Sequence, residues 1–294
     1  MKTKIPDELK KDVPDTSWGK VLTATPIIMT VVATALAGLS SSEMSRAQYN
    51  RSLAAQQQAK AGDQWGFFQA KRIRGSMQRT TLDLIHATAD VRPLGPDVLA
   101  KLDAATASAL LKGELPPLPS AVEMKPSVKT ALELLEAAKP EAQLFEVLNG
   151  VTADELTDAV RAIRGRSDAF DATLKPLNQA IDGLEKSFAK TDRDTRRDLA
   201  AARARYTANR YEAEARLNQS VAQMMELQVR KSNLTAERHS RRSQSFFLGM
   251  LAAQAAVIVS TFSIAATKRS ALWTVAAAAG VTAIAFAVYV YFYV

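Results

Sequence analysis

Phe246–Ala266, FFLGMLAAQAAVIVSTFSIAA, and Ala271–Val294, ALWTVAAAAGVTAIAFAVYVYFYV, decide how this chain is built. Neither stretch contains Asp, Glu, Lys, Arg or His. As a helix, each is long enough to cross a ~30 Å hydrocarbon layer, which takes about 20 residues. Only Thr267-Lys268-Arg269-Ser270 separates them, so a tight helical hairpin is expected. Trp273 at one end and Tyr289, Tyr291 and Tyr293 at the other suit the two membrane interfaces, where amphipathic rings settle. Lys268 and Arg269 in the loop fit the same boundary.

A third uncharged stretch, Val21–Leu39, lies near the N-terminus, with Pro26 in its first turns where a missing N–H costs least. Ala35-Leu36-Ala37 before Gly38 imitates a signal-peptidase site, but a polar leader of residues 1–20 precedes the stretch, which favours an anchor. Small residues recur four apart in the spans: Ala33 and Ala37, Gly249 and Ala253, Ala252 and Ala256, Ala276 and Gly280, Ala279 and Ala283. Such pairs let helix backbones approach closely in lipid. Alanine-rich spans also produce them by chance. Gln254 is the one strongly polar side chain within a span, and a single interhelical hydrogen bond is its expected use.

Between Leu184 and Leu248 there is neither Gly nor Pro, and good helix formers dominate. One helix is therefore expected to run without a break into the span at 246. Leu199, Tyr206, Ala213, Leu227 and Leu234 share one position of a seven-residue repeat, with Leu217 and Met224 on its partner position. Arg203, Arg210, Ser220 and Lys231 interrupt that seam, which favours packing within the chain over a free zipper. Its expected partner is Ser41–Ala89, running antiparallel as the other half of a stalk, with Trp65, Phe67, Phe68, Ile73 and Met77 as apolar contacts.

Prolines at 93, 96, 116, 117, 119, 126, 140 and 176 divide the middle of the chain into short helices. One is expected from Pro96 to near Gly113. Residues 115–120 read as a linker, and Ser127 as the cap of the next helix. Thr152 with Glu155 forms a capping box ahead of Leu156, Val160 and Ile163. No alternating strand pattern of useful length occurs.

The reading is an all-α membrane protein: three transmembrane helices (one N-terminal, a C-terminal hairpin), a long antiparallel helical stalk and a small distal helical bundle. Its segments are a polar leader at 1–20, a span at 21–39, a stalk helix at 40–91, a proline-punctuated bundle at 92–178, a long stalk helix at 179–245, and spans at 246–266 and 271–294.

The net charge of +8 fits an anionic membrane surface better than nucleic acid once spans are present, and no nucleic-acid partner is expected. Arg238, His239, Arg241 and Arg242 just before the second span are candidates for the membrane interface or for lipid headgroups. Lys71, Arg72 and Arg74 form a second basic cluster. With no cysteine, disulfides, thiolate metal sites and cysteine nucleophiles are excluded. His86 and His239 are the only histidines, and neither has a second one at helical spacing, so no metal site is indicated. No phosphate-cradling glycine loop, nucleophile elbow or dinucleotide fingerprint appears, and no cofactor is implied.

Basic residues near the span ends are evenly divided between the two sides. Weighting the short segments places the leader and hairpin loop inside, and the extramembrane domain on the periplasmic side of a bacterial inner (cytoplasmic) membrane.

The stretch LAAQQQAKAGDQWGFFQAKRIR after the first span and ERHSRRSQSFFLGMLAAQAAVIVSTFSIAATKRSALW near the end resemble the bacterial family catalogued as domain of unknown function 4337. The resemblance spans about residues 18–80 and 205–290, with the proline-rich middle looking like an insertion. It implies one N-terminal span, a helical region and a C-terminal pair of spans, and it supplies no site residues. The expectation is a non-enzymatic scaffold or accessory subunit that binds a protein partner or a second copy of itself. A channel or transporter component with Gln254 on its path, and a membrane-bound enzyme using acidic residues of the middle, are the two alternatives.

Overall fold

A computed structural model describes residues 17–188, 193–265 and 269–293, apart from the side chains of residues 265, 269, 270 and 293. The described residues contain eight helices and no strand: α1 (Ser17–Thr88), α2 (Pro96–Leu99), α3 (Ala104–Lys112), α4 (Pro126–Glu136), α5 (Glu141–Asn149), α6 (Ala153–Ser187), α7 (Arg193–Ala265) and α8 (Arg269–Tyr293). Three of them, α1, α7 and α8, are long and apolar enough to cross a membrane. The chain forms two compact units, Met1–Ser52 with Ser232–Val294, and Leu53–Lys231.

In the first unit, α1, α7 and α8 meet through small side chains. Ala33, Leu36, Phe246, Ala253, Ala283 and Val290 form its buried cluster. A Cβ on Gly249 would stand 3.8 Å from the Ala283 carbonyl oxygen and 3.4 Å from Leu36, so this position lies where three helices converge. Ala256 and Ala276 are also fully buried. Small side chains at these positions let the helix backbones approach closely. Trp273 donates its indole N–H to Thr25 Oγ1 at 3.0 Å and meets Trp18 edge to face at 4.7 Å.

In the second unit, α7 carries two different seams. Leu199, Tyr206, Leu217, Met224 and Leu227 are buried. Leu199 and Tyr206 cluster with Leu94, Ala109, Leu110, Ile181 and Leu184, and Leu217 with Phe170 and Leu174. The leucine seam of α7 therefore packs on the proline-punctuated segment and α6, not on α1 as its spacing had led us to expect. A second row of small residues faces α1: Ala208 and Ala215 line a groove with Phe68 and Gly75 of α1, and Ala201 and Ala222, seven residues to either side, are buried too. On α1 the matching positions are Ala54, Ala61, Phe68 and Gly75, of which Phe68 alone is large. Phe67, Ile73 and Met77, expected as contacts, are 59%, 61% and 61% exposed. They lie off the face that the small residues define.

The helix ends correct several expectations. One long helix was expected from Leu184. Instead α6 ends at Ser187, with Phe188 extended, and α7 starts at Arg193 and runs back antiparallel to α6. Thr157 to Gln228, Asn178 to Tyr206 and Asp182 to Arg203 mark that pairing. Pro176, expected as a breaker, lies inside α6, where burial of Phe170, Leu174, Ile181 and Leu184 outweighs the lost backbone bond. The helix expected from Pro96 to Gly113 is two, because Asp103 caps a fresh start by accepting from the Thr106 N–H at 2.9 Å. Ser127 is not a cap: Pro126 takes the first helical position and leaves Lys125 as the N-cap. Gly113 ends α3 in the left-handed region, φ 71°. Thr152 and Glu155 make the reciprocal capping box that the sequence indicates, at 3.2 and 3.0 Å.

Candidate functional site

Polar side chains gather in each unit, and on α1 many of them recur every seven residues. On α1, Glu43, Asn50, Gln57, Gln64, Lys71 and Gln78 share one heptad position, alternating with the small residues. In the second unit, Gln64 donates to Asn218 Oδ1 at 2.6 Å. Two turns on, Lys71 is ion-paired to Glu214, whose side chain is 7% exposed. Arg210 Nε lies 3.4 Å from the other oxygen of Glu214, at ion-pair distance but without hydrogen-bond geometry.

Around this pair stand further polar groups. Arg210 Nη1 and the Tyr206 hydroxyl both donate to Asn178 Oδ1, at 2.6 and 3.1 Å. The ring of Tyr211 lies under both cations, 4.7 Å from the Arg210 guanidinium carbon and 5.5 Å from Lys71 Nζ. Asp171 borders the cluster. Burial, and after it the negative charge of Glu214, hold its carboxyl above the usual range, with Lys71 and Arg210 opposing. Burial likewise raises the Tyr206 phenol. Farther along, Glu212 takes Arg216 at 2.6 Å and also pairs with Arg79; the Arg216 hydrogen bond is the first cause of its lowered pKa. A groove of about 520 Å³ opens beside it, between Phe68, Arg72, Arg79 and Arg216 and over Gly75 and Ala208.

In the first unit, Ser40 and Ser243 each donate to the other's backbone carbonyl, at 2.9 and 2.8 Å. One turn along, buried Glu43 meets His239 Nδ1 at 2.6 Å and Arg46 at 3.3 Å. Arg51 donates to Ser240 at 3.3 Å.

The sequence-derived candidates fall as follows. His239 is tied to Glu43, and Arg241 to Glu237 at 2.5 Å. Arg238 is exposed and Arg242 half-buried. Gln254 is exposed on α7 and, among the described residues, makes no interhelical hydrogen bond of the kind expected of it. Lys268 and the Arg269 side chain lie outside the described residues. Trp65 is half-buried and meets Phe68 edge to face at 5.5 Å. Leu217 is buried against Phe170 and Leu174 of α6, and Met224 is fully buried as well. Glu43, Glu214, Arg210, Asn178 and Tyr206 were not singled out as polar partners. Their signal was the repeat of polar residues every seventh position of α1, and Arg210, which interrupts the leucine seam of α7, belongs to the cluster.

Among the described residues, no group of three or more His, Cys, Asp or Glu could hold a metal ion. What the arrangement defines is an all-helical protein with three helices of membrane-spanning length and internally neutralised polar clusters. Residues 22–112 match the family model described as Domain of unknown function (DUF4337), so over α1 to α3 the chain is similar to that family, as its motifs indicated. The C-terminal stretch that also carried the resemblance lies outside the matched residues. No curated protein and no solved structure matches the chain.

Proposed function

We propose that this is a non-enzymatic integral protein of a bacterial inner membrane, in which the helical extramembrane unit serves as a scaffold or accessory surface for a protein partner or a second copy. The spans are the apolar segments of α1, α7 and α8, with α7 and α8 as a hairpin. The leader and hairpin loop lie on the cytoplasmic side, and residues 53–231 are periplasmic. One observation carries the reading. The charges that the second unit gathers stand against opposite charges, with Lys71 ion-paired to Glu214 and Arg210 Nε 3.4 Å from the same carboxylate. A poised acid, base or nucleophile would instead face a cleft with capacity to spare. The exposed position of Gln254 gives no support to a conduction path through it.

The test is native mass after extraction in a mild detergent, with every co-purifying chain identified. Other subunits at fixed stoichiometry, or a defined homo-oligomer, are expected. A bare monomer that retains a measurable turnover of its own would overturn the proposal.

A further inference from the structure

Resting on the membrane reading, we infer that Arg46, Arg238 and Arg242 form a site for the phosphate of an anionic lipid headgroup. The Glu43–His239 contact sets the reference direction in which α1 and α7 face each other. At about 100° per residue, Arg51 and Ser240 stand about 80° and 100° to one side of it, and their hydrogen bond shows that those two flanks coincide. Arg46 and Arg242 both stand about 60° to the other side, and Arg238 about 100°. All three therefore share the second flank, within about 9 Å along the helix pair at ~1.5 Å per residue. On that flank Gly249, seven residues beyond Arg242, abuts α8.

Three arginines thus share one flank, and the carboxylate that reaches it, Glu43, is already held by His239 and Arg46. Among the described residues, neither Arg238 nor Arg242 has a carboxylate partner. Arg242 Nε is buried with no hydrogen-bond partner, so an approaching anion is met by the two terminal nitrogens of Arg242, which are not covered in this way. A phosphate satisfies such a fork bidentately. The choice of a lipid over a free phosphate follows from what lies alongside. Val290, in the final turns of α8, packs with Phe246, one turn from Arg242, and Tyr289 and Phe292 are exposed there. An anionic headgroup with its acyl chains against that end of α8 fits both the charge and the apolar surface. Arg241, the most obviously exposed arginine of the cluster, is paired to Glu237 on a different face and takes no part.

The full chain is reconstituted into vesicles of phosphatidylcholine alone or with one part in five phosphatidylglycerol, then re-extracted, and the retained lipid is quantified. Phosphatidylglycerol is expected to be retained above its share of the membrane. Retention should fall about fivefold for Arg242→Gln and again for Arg238→Gln, survive Arg242→Lys in part, and be unchanged in Arg241→Gln. Equal loss on Arg241→Gln, no preference in the wild type, or full displacement by millimolar inorganic phosphate would each overturn the lipid site. Failure to insert into either vesicle would instead sink the membrane reading itself, so the two failures are distinguishable.

Discussion

Substituting Gly75 tests whether α1 and α7 really approach through their small residues. An added Cβ would meet Tyr211 Cβ at 3.4 Å, the Ala208 carbonyl oxygen at 3.6 Å and the Glu212 backbone N at 3.9 Å. Those are ordinary contact distances, so alanine fits without displacing backbone. Alanine also removes the backbone-entropy penalty of a mid-helix glycine, about 1 kcal/mol, and each new contact adds about 0.1–0.2 kcal/mol. Gly75→Ala should therefore stabilise the protein by about 1–1.5 kcal/mol, which raises Tm by roughly 2–6 °C for a unit of this size. Gly75→Leu reverses the sign. Its further carbons must either press on the backbone of α7 and the Tyr211 stem or fill the polar groove between Arg72, Arg79 and Arg216, and either costs about 1–3 kcal/mol. Thermal unfolding followed by circular dichroism in detergent reads both variants. If Gly75→Leu proves as stable as Gly75→Ala, the two helices do not pack at this distance and the small-residue seam is wrong.

Three further outcomes are expected. Glu214→Gln should destabilise by about 2 kcal/mol, less than the ~3–5 kcal/mol of a fully buried broken pair because Lys71 keeps part of its hydration, and Lys71→Met/Glu214→Leu together should cost less than the two singles summed in a denaturation cycle. Asp171 has a raised pKa in the fold, so its charge is penalised only as pH rises past the ordinary carboxylate value of 3.8. Asp171→Asn should then raise Tm at pH 7 and leave it unchanged at pH 3, as a pH series of melts would show. Gly113→Ala should lower stability by about 1–2 kcal/mol, since φ is 71° and the new Cβ would stand 2.8 Å from Asn209 Nδ2, whereas Gly150→Ala, at φ −82°, should not.

Much of the fold is written locally. Long uncharged runs announce the three apolar helices, and the Thr152–Glu155 box and Gly113 mark helix ends through chemistry that acts within four residues. Which face of α7 meets which partner is not local. Its leucine seam is the louder signal, yet it goes to α6 and the short helices, because their large side chains need large counterparts. The alanine seam goes to α1, whose facing positions are almost all small. Phe67, Ile73 and Met77 misled for the same reason: an apolar side chain that finds no space in a close seam stays outside it. The sequence between α6 and α7 contains neither Gly nor Pro, so no helix breaker marks the boundary. The polar clusters were hidden because each member looks like a flaw in a hydrophobic repeat until its opposite number is known.

A seam in which alanine recurs every seventh residue has a hazard of its own. Slide one helix past the other by one heptad and alanine still meets alanine, so the small layers alone scarcely distinguish the right alignment from its neighbours. Such a slip would carry Gln64 from Asn218 to Met225 or Tyr211, and Lys71 out of reach of Glu214. The polar layers thus work as the notches of a key: they contribute little net adhesion, but every false alignment strands a buried amide or charge. Insertions in either helix should be tolerated only where they leave those notches opposed.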